Sequence, residues 1–198
     1  MSINVRLLES AGATAKYYGG GDYIFHEGAK SFYYYQIIEG EIKLNNYNKD
    51  GKEFIQEILS DGEGFGEALL FSEKVYPVNS IALTDCTVLR LCKNNFLNLL
   101  NLYPKVYMDM CKSLSDRIVH KYIMLQKISS QNPVERLQGI MDFLKSSQNE
   151  QTPFSFQIPF TRQQLASLTG LCVETAIRTI KMMEREKKLK IKNRKILY

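Results

Sequence analysis

Residues 161–178 read TRQQLASLTGLCVETAIR, and this stretch sets the reading of the C-terminal third. Thr161 stands as a helix N-cap. Gln164, three residues on, completes a capping box in which each side chain satisfies a backbone N–H left over at the helix start. Leu165 and Leu168 give the first helix a short apolar face. Thr169 and Gly170 end it, because glycine enters the left-handed conformation of a tight turn without steric cost. In the second helix Ala176, Ile177, Ile180 and Met183 are spaced to pack on the first. Two short helices across a glycine-containing turn make a helix-turn-helix. Glu174 and Arg178 lie four apart, so they project from one face of the second helix. Arginine is the usual bidentate partner of guanine in the major groove, and glutamate accepts from the cytosine amino group. A solvated surface ion pair is the alternative for that spacing.

Charge agrees with a polyanion partner at one end. From Pro133 onward there are twelve Lys or Arg and six Asp or Glu, a balance of +6, while the first 132 residues carry −1. A basic third on a near-neutral remainder points to nucleic acid. The 198 residues suffice for two modest domains, and 44% hydrophobic with 24% charged residues is ordinary globular composition. No run nears the roughly 18 apolar residues of a membrane span, and MSINVRLLES has no signal-peptide core, so a cytoplasmic protein is expected. Cys86, Cys92, Cys111 and Cys172 show no C-x-x-C spacing, which suits a reducing compartment. The first three are expected to be buried as small hydrophobes. There is no nucleophile–base pair, metal-ligand cluster or P-loop, so neither an enzyme nor a metal site is expected.

About 16 weakly patterned residues, read as a short helix, precede a run from Tyr17 to Leu91 of short alternating apolar segments broken by Gly, Asn and Asp. That is the character of many short strands in a sandwich or barrel. Asp50-Gly51 reads as a hairpin turn. Tyr33, Tyr34 and Tyr35 fall on alternating strand faces, as core and surface positions. Asn95 to Ser130 is helical in pattern, with Pro104 starting the long section. There Cys111, Leu114, Ile118, Lys121, Leu125 and Ile128 recur at separations of three and four. Such a seam asks for a partner helix, with an intramolecular packing face as the alternative. Gln131-Asn132-Pro133 then breaks the helix as a hinge, and Pro133 opens the next one. Residues 146–153 read as a polar loop, 154–160 as a short strand pair, and 184–198 as a hairpin turning at Lys192-Asn193.

The block from Thr161 to Met183, with Gln163, Gly170, Glu174, Thr175 and Arg178 in place, resembles the DNA-binding motif of the Crp/Fnr family of bacterial regulators. The resemblance covers nearly the whole chain. It implies an α+β fold: a double-stranded β-roll of the cyclic-nucleotide-binding type at 1–103, a dimerisation helix and hinge at 104–132, and a winged helix-turn-helix at 133–198. It also implies a homodimer joined through the seam, double-stranded DNA and RNA polymerase as partners, and control by a small effector in the β-roll. A regulatory module acting through protein partners is the other reading, and the basic C-terminal third argues against it.

The resemblance makes GFGEALLF, residues 64–71, the phosphate-binding cassette of the roll, with Gly66, Glu67 and Ala68 as effector contacts. Two departures stand out. Pro77 and Val78 occupy the positions of the family's phosphate-binding Arg and its Ser/Thr neighbour. Lys121 and Tyr122 replace the adenine-facing Thr-Ser pair of the cyclic-AMP receptor. Desolvating a phosphate without its cation costs several kcal/mol, so cyclic AMP is not the expected effector. The family member that carries an iron–sulfur cluster keeps its cysteines near the N-terminus, and here none precedes Cys86, so the resemblance excludes such a cluster. Haem would have to use His26, His120 or a cysteine, and the histidines read more simply as surface residues. The effector is left open.

At the DNA end, the resemblance puts Arg178 on a guanine, Glu174 on the paired cytosine, and Val173 and Ile177 beside them, within half-sites of TTGA-like core. Ile177 suits a thymine methyl. Thr161, Arg162, Gln163, Lys187, Lys188 and Arg194 would meet phosphates, which position the protein without choosing sequence. A two-fold dimer implies a palindrome with half-sites one helical turn apart.

Overall fold

A strand that buries both faces needs a partner layer on each side, and the sequence YYYQIIE at 33–39 is such a strand. The computed structural model describes residues 2–146 and 151–198, and it places this strand in a two-sheet roll backed by helices. The elements run α1 (Val5–Ser10), β1 (Thr14–Tyr18), β2 (Tyr23–Phe25), β3 (Tyr33–Glu39), β4 (Ile42–Tyr47), β5 (Glu53–Leu59), β6 (Gly64–Phe65), α2 (Glu67–Ser72), β7 (Asn79–Ala82) and β8 (Cys86–Cys92). Then come α3 (Lys93–Leu102), α4 (Pro104–Ile128), α5 (Pro133–Ser146), α6 (Arg162–Thr169), α7 (Val173–Arg185), β9 (Lys190–Lys192) and β10 (Lys195–Leu197). The chain divides into two compact units, one ending at Arg117 and one beginning at Ile118, so the division falls within α4.

In the first unit, antiparallel sheets ordered β1-β8-β3-β6 and β2-β7-β4-β5 face each other. Between them Phe25, Tyr35, Ile37, Ile42, Leu59, Phe65, Tyr76, Val78 and Val88 form one buried core. Period-two alternation sends the neighbouring residues of β3 and β8 the other way. Tyr34, Leu89 and Leu91 therefore join Ile3, Leu8, Phe96, Leu99 and Met110 in a second core under the helices. Tyr34 stacks on Phe96 at 4.6 Å. Buried Gln36 accepts from the Ile3 N–H and the Tyr34 hydroxyl, each at 2.8 Å, so its polar end is satisfied. Tyr34 and Tyr35 thus both lie in core, one on each face, and Tyr33 is half-buried. The Asp50-Gly51 turn joins β4 to β5, fastened by the Asn48 side chain, which accepts from the Asp50 and Lys52 N–H groups.

In the second unit α5, α6 and α7 pack together. Leu137, Ile140, Met141, Leu165, Ala176, Ile180 and Met183 are buried there. β9 and β10 pair as the wing, whose turn falls at Asn193-Arg194, one residue later than the sequence suggests, with both residues at positive φ. Residues 154–160 form no strand pair. Gln157 makes a single bridge to Leu197, and the backbone of Phe156 bonds with Tyr198. Residues 147–150 of the expected polar loop lie outside the described residues. Among the cysteines Cys86 is buried and Cys111 intermediate, but Cys92 is exposed at the end of β8, where the strand gives way to α3. No helix among the described residues is long and apolar enough to cross a membrane.

Candidate nucleic-acid interface and effector cassette

The helix-turn-helix forms from local interactions. Thr161 Oγ1 accepts from the Gln164 N–H at 3.1 Å and Gln164 Oε1 accepts from the Thr161 N–H at 2.8 Å, a reciprocal capping box. Gly170 closes α6 at φ +68°, a conformation that would strain a side-chain-bearing residue. The Leu171 N–H reaches back to the Ala166 carbonyl, and Thr169 Oγ1 donates to Leu165. Arg136 of α5 donates to the Thr169 carbonyl at 3.2 Å, tying the turn to the helix beneath it.

α7 starts at Val173 after Cys172, whose side chain caps nothing. The Cys172 thiol lies 2.9 Å from Thr175 Oγ1, and that hydrogen bond draws its pKa below the ordinary thiol value. One face of α7 is buried through Ala176, Thr179, Ile180 and Met183. The opposite face lines an open groove of about 570 Å³ with Glu174, Ile177, Arg178, Lys181, Met182 and Arg185. Glu174 and Arg178 are exposed, and Val173 and Ile177 half-buried beside them. Lys181 and Arg185, three and seven residues past Arg178, extend the same stripe. Helical spacing alone would have found them.

Thr161 and Gln163 are exposed and Arg162 is half-buried at the start of α6. Arg162 donates to the Arg194 carbonyl at 3.5 Å, which brings the head of α6 to the wing turn. Lys187, Lys188 and Arg194 are exposed. Lys188 pairs with Glu186 at 2.8 Å, and Lys190 lies over the Phe154 ring.

The seam on α4 is mixed. Ile118 and Leu125 are exposed, as are the neighbouring Tyr122 and Val119, while Cys111, Leu114 and Ile128 are half-buried. Leu114 packs against the core under the helices. Lys121 is exposed, and so is Ala68 of α2.

The cassette at 64–71 is closed by the chain's own side chains. Gly66 caps α2 at φ +81°, and a Cβ there would sit 3.1 Å from the Tyr35 ring and 3.5 Å from the Tyr76 hydroxyl. Glu67 is only 4% exposed. Its Oε1 meets Arg117 Nη1 of α4 at 2.5 Å, while Arg117 Nε reaches Glu57 at 3.2 Å and Nη1 also donates to the Gly64 carbonyl at 3.2 Å. Burial works to lower the Arg117 pKa, but Glu67 and then Glu57 outweigh it and hold the guanidinium charged. Glu67 Oε2 is buried with no hydrogen-bond partner. Arg117 is not legible as a site residue from sequence, because it lies fifty residues from Glu67 and sixty from Glu57.

Comparisons agree with this division of labour. Residues 15–103 match the cyclic nucleotide-binding domain family and residues 135–198 the Crp-like helix-turn-helix domain family. The chain is 28% identical over 163 residues to the cAMP-activated global transcriptional regulator CRP of Pasteurella multocida, covering 81% of this chain and 78% of that protein. It is 27% identical to the cyclic AMP receptor protein of Thermus thermophilus, covering 85% and 76%.

The chain belongs to the Crp/Fnr family of transcription regulators.

Solved structures share its fold. The c-di-GMP responsive global regulator CLP of Xanthomonas campestris superposes with a TM-score of 0.79 at 20% identity, covering 98% of each chain. CooA of Carboxydothermus hydrogenoformans, in a mutant form, gives 0.83 at 15% identity, covering 100% of this chain and 87% of that one. Crp-type helix-turn-helix regulators bind DNA and typically act as dimers. The relatives' names carry different small molecules, so Crp/Fnr membership leaves the effector of this chain undetermined.

Proposed function

We propose that this Crp/Fnr regulator acts as a homodimer on a palindromic promoter site, with α7 of each protomer in successive major grooves. Arg178 takes guanine O6 and N7, and Glu174 accepts from the amino group of the paired cytosine. Val173 and Ile177 supply apolar contact next to them, with a thymine methyl the natural partner of Ile177. Thr161, Arg162, Gln163, Lys187, Lys188 and Arg194 meet phosphates, and Lys181 and Arg185 prolong that contact along the groove edge. The observation that carries this reading is the exposure of Glu174 and Arg178, one turn apart, on a helix whose opposite face is buried.

The exposed apolar residues of α4, among them Ile118, Tyr122 and Leu125, are the surface of a partner helix in this reading. Cys111, Leu114 and Ile128 lie along the same seam. RNA polymerase is the expected partner on the promoter. The effector side is the β-roll, with Gly66, Glu67 and Ala68 as its candidate contacts.

The test is a gel shift on a duplex with two TTGA-type half-sites one helical turn apart, against a duplex with the guanines replaced. A shift confined to the intact palindrome, with two chains per duplex, is the expected result. Equal retention of both duplexes would end the assignment of Arg178 to a base.

A further inference from the structure

Residues 129–132 join α4 to α5. Such short connections are where a hinge absorbs backbone rotation, so the angle between the helices is open unless contacts span it. Here they do. Gly139 of α5 is buried, and a Cβ on it would sit 2.8 Å from Lys127 Cβ in the last turn of α4. Glycine inside a helix is unfavourable by itself, and close approach of another helix is what it permits. Farther from the hinge, the Phe143 ring meets His120 edge-on at 5.2 Å. Asn132 caps α5, its Oδ1 accepting from the Val134 N–H at 2.9 Å, and Ser130 Oγ donates to Glu135.

Arg136 reaches further. Its Nε donates to the Ser130 carbonyl, just past the end of α4. Its Nη1 donates at 3.2 Å to the carbonyl of Thr169, the last residue of α6. Both acceptors stand at helix C-terminal ends, where carbonyls left without intrahelical partners carry partial negative charge. A guanidinium is charged, planar and fixed in its donor directions, so one side chain holds two such acceptors at a set separation. Arg136 is half-buried and Thr169 buried, which keeps much of this clamp from water.

The exposed apolar residues Ile118, Tyr122 and Leu125 of α4 belong to the same compact unit as the helix-turn-helix. When two protomers join there by a two-fold axis, a rotation at the hinge acts on both α7 helices symmetrically. One base pair is about 3.4 Å of rise and about one tenth of a helical turn. A small change of hinge angle therefore takes both helices out of register with their half-sites.

We propose that Arg136 is the positioning residue that sets which half-site spacing this chain accepts. It touches no base in this role. It ties the end of α4 to the end of α6 and so fixes the reading helix on the dimer helix, while Gly139 lets Lys127 lie close against α5. The assignment rests on the proposed homodimer on a palindrome.

The experiment is a competitive gel shift of the full chain on palindromes with half-sites one helical turn apart, or with one or two base pairs added or removed at the centre. A duplex with a single half-site is the reference. Wild type should prefer one spacing sharply. Arg136→Met keeps an unbranched apolar stem without donors. Its preference for the best spacing over the neighbouring ones should shrink by about tenfold, the worth of one hydrogen bond to a charged group. Its affinity for the single half-site should stay that of wild type. Arg136→Lys, with donors at one point only, should fall between. Gly139→Ala, which pushes Lys127 away, should move the optimum to another spacing, and it serves if Arg136→Met does not fold.

A purely structural Arg136 would lose the single half-site and every palindrome alike, and that result overturns the proposal. So does an unchanged spacing profile in Arg136→Met or, where that variant does not fold, in Gly139→Ala. A wild-type chain that ignores the palindrome ends the DNA-reading assignment itself. One that binds it with no preference of spacing, or keeps its preference in the variants, ends the assignment of Arg136 alone.

Discussion

Two glutamate–arginine pairings make a contrast: one is exposed on α7 and is proposed to read bases, the other is buried in the roll. Glu174 and Arg178 lie four apart on α7, exposed, with their hydrogen-bonding groups open to a partner. Glu67 and Arg117 lie fifty apart, on α2 and α4, with Glu67 buried and the two joined at 2.5 Å. The chemistry of the side chains is identical. An exposed pair contributes about 0–1 kcal/mol to stability, so its atoms can be given over to recognition at little cost to the fold. A buried pair is committed, because removing one member strands the other away from water. Exposure, rather than residue type, separates the surface proposed to read bases from the clasp.

The largest test of that contrast is Arg117→Met, which leaves Glu67 buried without its counter-charge. It should lower unfolding free energy by about 3–5 kcal/mol, measured by urea denaturation. Arg178→Ala should do the reverse. Stability should stay within about 0.5 kcal/mol, while affinity for the palindrome falls by about 1–3 kcal/mol and discrimination at the guanine relaxes, measured by competitive gel shift. A large loss of stability in Arg178→Ala would erase the distinction.

Alkaline pH probes the closed interior. Burial, with Tyr18 nearby as a lesser cause, pushes the Tyr35 phenol up to about 12 from 10. Between pH 10 and 12 the unfolded chain releases that proton and the folded chain keeps it. Stability should therefore fall as pH rises, by about 1.4 kcal/mol per pH unit for this group. Tyr35→Phe should flatten the slope of Tm against pH in that window. Thr161→Ala, which removes one half of the capping box, should cost about 1 kcal/mol of stability in the helix-turn-helix unit. The smallest effect belongs to Lys187→Ala. It should weaken binding alike on every sequence and reduce the salt slope of log affinity by about 1.

Much of the helix-turn-helix was legible in the sequence because its determinants are local. The capping box of Thr161 and Gln164, the left-handed Gly170, and the four-residue spacing of Glu174 and Arg178 all follow from helix geometry. The wing turn was placed one residue early, since Lys192 and Asn193 alone do not say which pair adopts positive φ. Residues 154–160 alternate like a strand pair, but a single bridge from Gln157 to Leu197 and burial of Ile158 satisfy that alternation. In the roll, the resemblance singled out Glu67, which the structure buries. Arg117 was not legible, because its ion pairs span fifty and sixty residues.

The amino-acid sequence by itself determined the basic C-terminal third, and it determined the helix-turn-helix and the strand-rich first half because these are set by neighbours within a turn or a hairpin. Only the tertiary structure decided that Glu67 is enclosed and held by Arg117, that Arg117 also reaches Glu57, and that Tyr35 and Tyr76 close over Gly66. Burial depends on which distant elements pack together, and burial is what turns a charged residue from a reader of ligands into a fastening of the fold.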